Sequence, residues 1–486
     1  MLKPQYKAYN NSILISYEVE IMSADSKVTE NNEMFLTENI GKLILKFSIP
    51  VIISLLVAEM YNMVDSLFVG QVIGAKGIAA LTIAFPVQRL FQAISMLVAI
   101  GASTAVARCC GENDYSKIKR IIPNAFIVLL VMILTLIVGI FIIRDDLIIK
   151  LGASEAVFPY AKAYISIILF GVIFQGLVFL ISYILNSFGN SKIILYSTLI
   201  GAIFNFILDY IFVIKFNFGI EGAAVATALS QLISFLYSFK RFMEIKKHMN
   251  ISFQFKLEKS IYRSIIFVGF STFIIEISDA VVAVFLNKIL AELGGDMAIV
   301  AVGLISRISM FMFINIIGIS SAMQPIAAYN YGAENYDRVR KIVKYSTKLV
   351  SLTSIVFWIL IMVFARELLG IFVNEKEIID YTVNAFRIVV SILPCIGIYY
   401  VAIYYYQAMG MAKLSVLLSI FRQIIVFIPL VYILVYGFNL GVKGAWIAYP
   451  VSDVISFFIA IVYIKIYQLE EKEEVLVKEK ATVATA

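Results

Sequence analysis

Apolar runs long enough to cross a lipid bilayer recur along almost the whole chain, and nothing else in the sequence constrains the fold as tightly. They fall at about 43–69, 78–107, 121–143, 161–187, 192–214, 220–241, 263–290, 297–329, 341–364, 382–409, 413–436 and 442–467. A helix needs about 20 apolar residues to span the hydrocarbon layer. That layer offers the backbone no water, so each run must satisfy its own N–H and C=O groups as a helix. The expected fold is an all-α polytopic membrane protein with 12 transmembrane helices. Composition agrees, since 61% of the 486 residues are hydrophobic and 15% charged. Soluble domains carry roughly 45–50% and about 25%. What lies outside the runs is too short for a second domain.

The connections between runs sort by charge. Arg108, Lys117, Lys119, Arg120, Lys192, the basic residues of 240–263 and of 338–348, and Lys413 fall on one side. The other side holds fewer: Lys76, Arg144, Lys150, Lys162, Lys215, Lys288, Arg366, Lys376 and Lys443. This bias places the richer side, and with it both termini, in the cytoplasm of a cell membrane. The net charge of +7 therefore reads as a topology signal, and no nucleic-acid partner is expected. Residues 1–40 are polar, without the apolar core of a signal peptide. They are expected to form a disordered cytoplasmic extension, with Met22 or Met34 as alternative working starts. Cys109, Cys110 and Cys395 suggest no disulfide framework. The single histidine, His248, is expected in a loop and leaves no His-based metal site or Ser-His-Asp triad. No cofactor is expected.

The chain also repeats itself. Residues 111–115 (GENDY) match 332–336 (GAENY), and 217–226 (NFGIEGAAVA) match 439–448 (NLGVKGAWIA). Gly189 and Lys192 match Gly410 and Lys413, so the offset is 221 or 222 throughout. Three pairs in register across half the chain specify a duplicated unit. Six helices per unit give two parallel, pseudo-symmetric lobes, the arrangement of an alternating-access transporter. The expected organisation is an N-lobe over 41–241, a basic cytoplasmic linker over 242–262, a C-lobe over 263–467 and a charged tail over 468–486.

Ionisable groups inside such spans cost at least about 2.5 kcal/mol each and need a reason to be there. Glu59 and Asp65 fall in the first run, Asp209 in the fifth, Glu276 and Asp279 in the seventh. Asn205 and Asp209 share one face of their helix, as do Asn62 and Asp65. If those faces meet, two carboxylates, two carboxamides and the Thr227 hydroxyl surround one cavity. Such hard oxygen donors suit Na⁺. Two close carboxylates cannot easily both ionise in a low dielectric, so a proton fits equally well. The competing reading makes these acids structural partners of buried arginines, and Arg422 with Asp453 in neighbouring C-terminal runs fits it best. Arg89 and Arg307 are expected near helix ends, where long side chains snorkel. Pro86, Pro325, Pro394, Pro429 and Pro450 permit bends within spans. The tyrosines between Tyr399 and Tyr406, with the abundant Phe and Met, supply walls for flat organic cations.

Residues 61–70 (YNMVDSLFVG), preceded by Ile49 and Pro50, and residues 324–333 (QPIAAYNYGA) resemble the helix 1 and helix 8 signatures of the multidrug and toxic compound extrusion (MATE) family. The resemblance covers roughly residues 40–465 and is nearest to the prokaryotic DinF-like branch. It implies a monomeric antiporter that exports drugs in exchange for H⁺ or Na⁺, with small molecules and the lipid bilayer as partners. It also implies a cation-coupling set at Asp65, Asn205, Asp209 and Thr227, the same four being the Na⁺ ligands if sodium is the coupling ion. An Asn of the family falls on Ser182, a departure from the pattern. The family's helix 7 acid falls on Asp279 and not Glu276. Glu59 stands where an amide is expected, which makes it an extra protonatable candidate. Tyr61, Tyr399 and Tyr400 are candidates for the substrate cavity.

Two rivals remain. A flippase for a lipid-linked oligosaccharide, from the same superfamily, needs basic cavity residues, and here intramembrane acids predominate. An intramembrane aspartyl protease needs paired acids in a Gly-Asp setting. Gly294, Gly295 and Asp296 lie in a connection without a partner, so no enzyme activity is expected.

Overall fold

The structure is a computed structural model that describes residues 33–248, 257–373 and 375–484, without the side chains of 62, 75, 248, 296 and 464–484. No strand occurs among the described residues. The membrane helices are α1 (Ile40–Ile73), α2 (Ala75–Gly111), α3 (Tyr115–Lys150), α4 (Phe158–Ser187), α5 (Lys192–Lys215) and α6 (Gly219–His248). They continue with α7 (Lys259–Gly295), α8 (Met297–Gly332), α9 (Tyr336–Val363), α10, α11 (Ala412–Gly437) and α12 (Gly441–Ala484). Helix α10 is a pair, Lys376–Val389 and Leu393–Ala408, bent by 49°. Counted as one span it completes the twelve expected.

The duplication is written into the backbone torsions. Left-handed residues fall in register at Gly74 and Gly295, Asn113 and Glu334, Gly189 and Gly410, Asn217 and Asn439, and Gly219 and Gly441. Matched caps follow. The Asp114 carboxylate accepts the Lys117 N–H at 3.0 Å, and the Asn335 amide oxygen accepts the Arg338 N–H at 3.2 Å, each satisfying a free donor of a first turn. Both α5 and α11 end in a wide π-turn, Tyr210–Lys215 and Ile433–Gly437. A further π-turn, Phe421–Phe427, interrupts α11 alone. A π-turn accommodates one inserted residue. The offset is 221 before this turn and 222 after it, so the turn is where the second half absorbs its extra residue.

Two compact units result. One contains the chain to Phe273 together with Ala322–Ile342 and Ala408–Gly410; the other contains Ile274–Ser321, Val343–Gln407 and the chain from Met411. This division departs from the lobes expected at 41–241 and 263–467, because one end each of α7, α8, α9 and α10 packs into the first unit. Glycines explain the closeness of that packing. A Cβ at Gly101 would collide with the Ile265 carbonyl, and one at Gly269 with that of Leu97. At Gly111 and Gly332 it would strike the carbonyls of Tyr329 and Arg108. Small residues let membrane helices approach backbone to backbone in this way.

Other expectations shift. Residues 33–37 are helical, and Phe35 is buried against the rings of Phe47 and Tyr329, so order begins before residue 40. The rest of the expected extension, 1–32, lies outside the described residues, as does 249–256 of the linker. His248 closes α6 and is not in a loop. Arg89 and Arg307 lie well inside α2 and α8, away from their ends.

Candidate functional site

Five helices of the first unit converge on a buried polar cluster. Asp65 sits in α1, 8 residues before its final residue Ile73, and is 7% exposed. The Tyr164 hydroxyl of α4 donates to its Oδ2 at 3.5 Å, and the Gln88 amide of α2 donates to Tyr164 at 3.3 Å. Asp65 Oδ1 is buried and has no hydrogen-bond partner. In α5, the Asn205 amide donates to Thr227 Oγ1 of α6 at 3.5 Å. Asp209, one turn further on, is fully buried and neither of its oxygens has a hydrogen-bond partner. The two carboxyls lie within electrostatic reach of each other. The Tyr61 hydroxyl, itself without a hydrogen-bond partner, lies near Thr227, Ser230 and both acids.

Local sequence explains the convergence. Tyr61 and Asp65 are one turn apart on α1, as are Asn205 and Asp209 on α5, so each pair shares a face. The rings of Phe68 and Phe206, 5.5 Å apart, seat α1 against α5 beside the acids. The π-turn of α5 begins at Tyr210, directly after Asp209. Such turns recur where a helix must re-aim a functional side chain.

Three carboxylate oxygens sealed from solvent without donors are costly. An isolated buried charge is far dearer than a hydrogen-bonded polar group, and the usual remedy is neutralisation by a proton or a cation. Among the described residues neither acid forms an ion pair; the buried and half-buried pairs lie elsewhere, at Glu59 with Arg89 and at Asp453 with Arg422. The donors present, carboxylate, carboxamide and hydroxyl, are hard oxygens of the kind that take Na⁺. The set therefore fits a proton or a small cation.

The structure brings Asp65, Asn205, Asp209, Thr227 and Tyr61 together. The side chain of Asn62 lies outside the described residues. Ser182 is elsewhere: it lies 18 positions beyond Tyr164 on α4, about 27 Å at the rise of an α-helix, and its hydroxyl meets that of Ser197 at 3.5 Å. Glu59 is paired with Arg89 of α2 at 3.8 Å, so it is not an unpaired protonatable group beside Asp65. Tyr164, Gln88 and Ser230 were not anticipated. A lone amide such as Gln88 inside an apolar span was the available signal.

The acids of the second unit behave differently. Arg422 Nε binds Asp453 Oδ1 at 3.1 Å, and Asp453 is 2% exposed. The adjacent Gln423 amide donates to Asp279 Oδ1. Glu276, Asp279 and Asp453 all act electrostatically on Tyr400, as does Arg422. Tyr400 is buried, edge-on to Phe313 at 6.0 Å. Tyr399 is buried too, its hydroxyl donating to the Leu418 carbonyl of α11. Neither tyrosine presents an open wall, because both rings are consumed in packing α10 against its neighbours.

Comparison with known proteins follows the same lines. The MatE family profile matches residues 50–211 and 268–433. The multidrug export protein MepA of Staphylococcus saprophyticus is 25% identical over 403 residues, covering 82% of this chain and 88% of that protein. MepA of Staphylococcus aureus strain MSSA476 is 24% identical, covering 81% and 87%. Among solved structures, a MATE protein in complex with MaD3S superposes with a TM-score of 0.84 at 24% identity, covering 90% of this chain and 98% of the other. A MOP superfamily transporter from Pyrococcus furiosus gives 0.84 at 23% identity, covering 89% and 97%. These structural likenesses speak to the fold.

Proposed function

The chain belongs to the MatE family of membrane transporters, and from that premise we propose that it is a secondary active exporter of organic, often cationic, compounds, exchanged for H⁺ or Na⁺. The observation that carries the reading is the pair of sealed acids, Asp65 and Asp209, with three buried carboxylate oxygens that make no close hydrogen bond. A membrane protein keeps such groups where a mobile positive ion visits them.

In this reading H⁺ or Na⁺ is cargo, held by Asp65 and Asp209, with Asn205 and Thr227 as neutral donors. Tyr164 orients Asp65 through its hydroxyl, and Gln88 orients Tyr164. Loading neutralises the acids and lets α1, which contains Pro50, bend or repack against α5, expelling the drug outward. The ion is then released to the cytoplasm. Drug and ion must prefer opposite conformations, because a ligand with no preference shifts nothing. The protein acts as a monomer in the cell membrane with both termini cytoplasmic. The relatives named multidrug export protein support the export of several compounds.

Reconstitution tests this directly. In proteoliposomes containing a fluorescent organic cation, a pH gradient or a Na⁺ gradient imposed alone is expected to drive dye movement. If neither moves dye, while a lipid-linked oligosaccharide crosses the bilayer, the exporter reading fails and the flippase alternative replaces it.

A further inference from the structure

An apolar groove of about 770 Å³ lies between α2 and α3, remote from the acid cluster in its lining. Pro86, Leu90 and Ile94 form one wall, and Met132, Gly139 and Leu147 lie along the other. A Cβ at Gly139 would meet nothing within 4 Å, so this glycine leaves the floor open. The α3 lining runs from Val131 to Leu151, about 30 Å of helix, which is comparable to the thickness of a bilayer's hydrocarbon layer. The volume falls in the range of roughly 300–1,000 Å³ typical of small-molecule sites.

One end of this groove is charged. Lys150 is the last residue of α3 and stands between the lining residues Leu147 and Leu151. Lys76 opens α2 and lies on the same helical face as Pro86, Leu90 and Ile94. Both lysines are exposed, and neither takes part in an ion pair or hydrogen bond among the described residues. The other basic residues here are engaged: Arg144 and Lys162 both bind Asp145, at 3.0 and 2.6 Å. Asp146 and Glu155 also lie at this end, Asp146 farther round α3 from the groove than Lys150. A long apolar slot that ends at two free ammonium groups has the polarity of one kind of molecule. We propose that this groove is a binding site for an anionic phospholipid, its acyl chain along α2 and α3 and its phosphate at Lys76 and Lys150.

The site differs from ordinary lipid contact in being selective for charge. A lysine near a bilayer surface favours anionic lipid by about 1 kcal/mol, or roughly fivefold for each lysine. The experiment uses the full chain in nanodiscs with Thr135→Trp as a reporter within the groove, quenched by brominated phosphatidylglycerol or brominated phosphatidylcholine. Phosphatidylglycerol is expected to quench at a mole fraction several-fold lower. Each of Lys76→Gln and Lys150→Gln should remove about fivefold of that preference, and Gly139→Phe should weaken quenching by both lipids. Equal quenching by the two lipids, or a preference that survives loss of both lysines, would overturn the proposal in favour of ordinary annular lipid. Elution position and thermal unfolding of each variant separate loss of binding from loss of fold.

Discussion

Where the first half of the repeat carries Asn205 and Thr227, bonded across 3.5 Å, the second half carries Phe427 and Tyr449, rings packed at 4.6 Å. Asp65 corresponds to Leu286 and Asp209 to Val431, and both of these are buried. The traffic also runs the other way. Arg422, Asp453 and Asp279 of the second half fall on Gly201, Gln231 and Ala58 of the first. One backbone plan thus carries a cluster with no internal countercharge in one half and a self-neutralised ion pair in the other. A buried pair is neutralised as it stands, whereas acids without a partner must be neutralised by a proton or a cation if they are to stay buried. The extra π-turn belongs to the same contrast, because it lies at Arg422 and Gln423 in α11 and has no counterpart in α5.

The contrast can be broken experimentally. Asp65→Asn or Asp209→Asn should reduce ion-driven dye export in proteoliposomes to the level of empty vesicles while the protein still folds. Full export by both variants would remove the distinction between the halves. Next in size, Arg422→Met strands the Asp453 carboxylate, and removing one member of a buried pair costs about 3–5 kcal/mol. Denaturant unfolding in detergent should record that loss, and the double variant Arg422→Met with Asp453→Leu should recover most of it. Smaller still, Thr227→Val removes one neutral donor, worth about 1–3 kcal/mol. It should raise the Na⁺ concentration, or the proton concentration, needed for half-maximal export by roughly thirtyfold, at the middle of that range. Last, Glu59→Gln breaks a half-exposed pair 3.8 Å long, of the kind worth no more than about 1 kcal/mol. Export should survive it, and a complete loss would move Glu59 into the coupling set.

Much of this site was legible before any coordinates. Asp65 and Asp209 announce themselves as charges inside apolar runs, and the spacing of Asn205 and Asp209 fixes their common face. Ser182 misled, because a motif position says nothing of depth, and 18 residues of helical rise carry it away from Tyr164. Glu59 and Arg89 belong to different runs, so no spacing rule connects them. Their pairing exists only because α1 and α2 pack side by side. Tyr399 and Tyr400 looked like cavity walls in the sequence and proved to be packed inside.

The sequence by itself determined the twelve helices, their duplication and the presence of buried acids, because hydrocarbon forbids an unsatisfied backbone and taxes every charge regardless of packing. Only the tertiary structure decided which acids share a cluster, which are neutralised by arginine, and where the single inserted residue was absorbed. Those outcomes depend on which helix faces meet, and side chains hundreds of residues apart come within a few ångströms only through that packing.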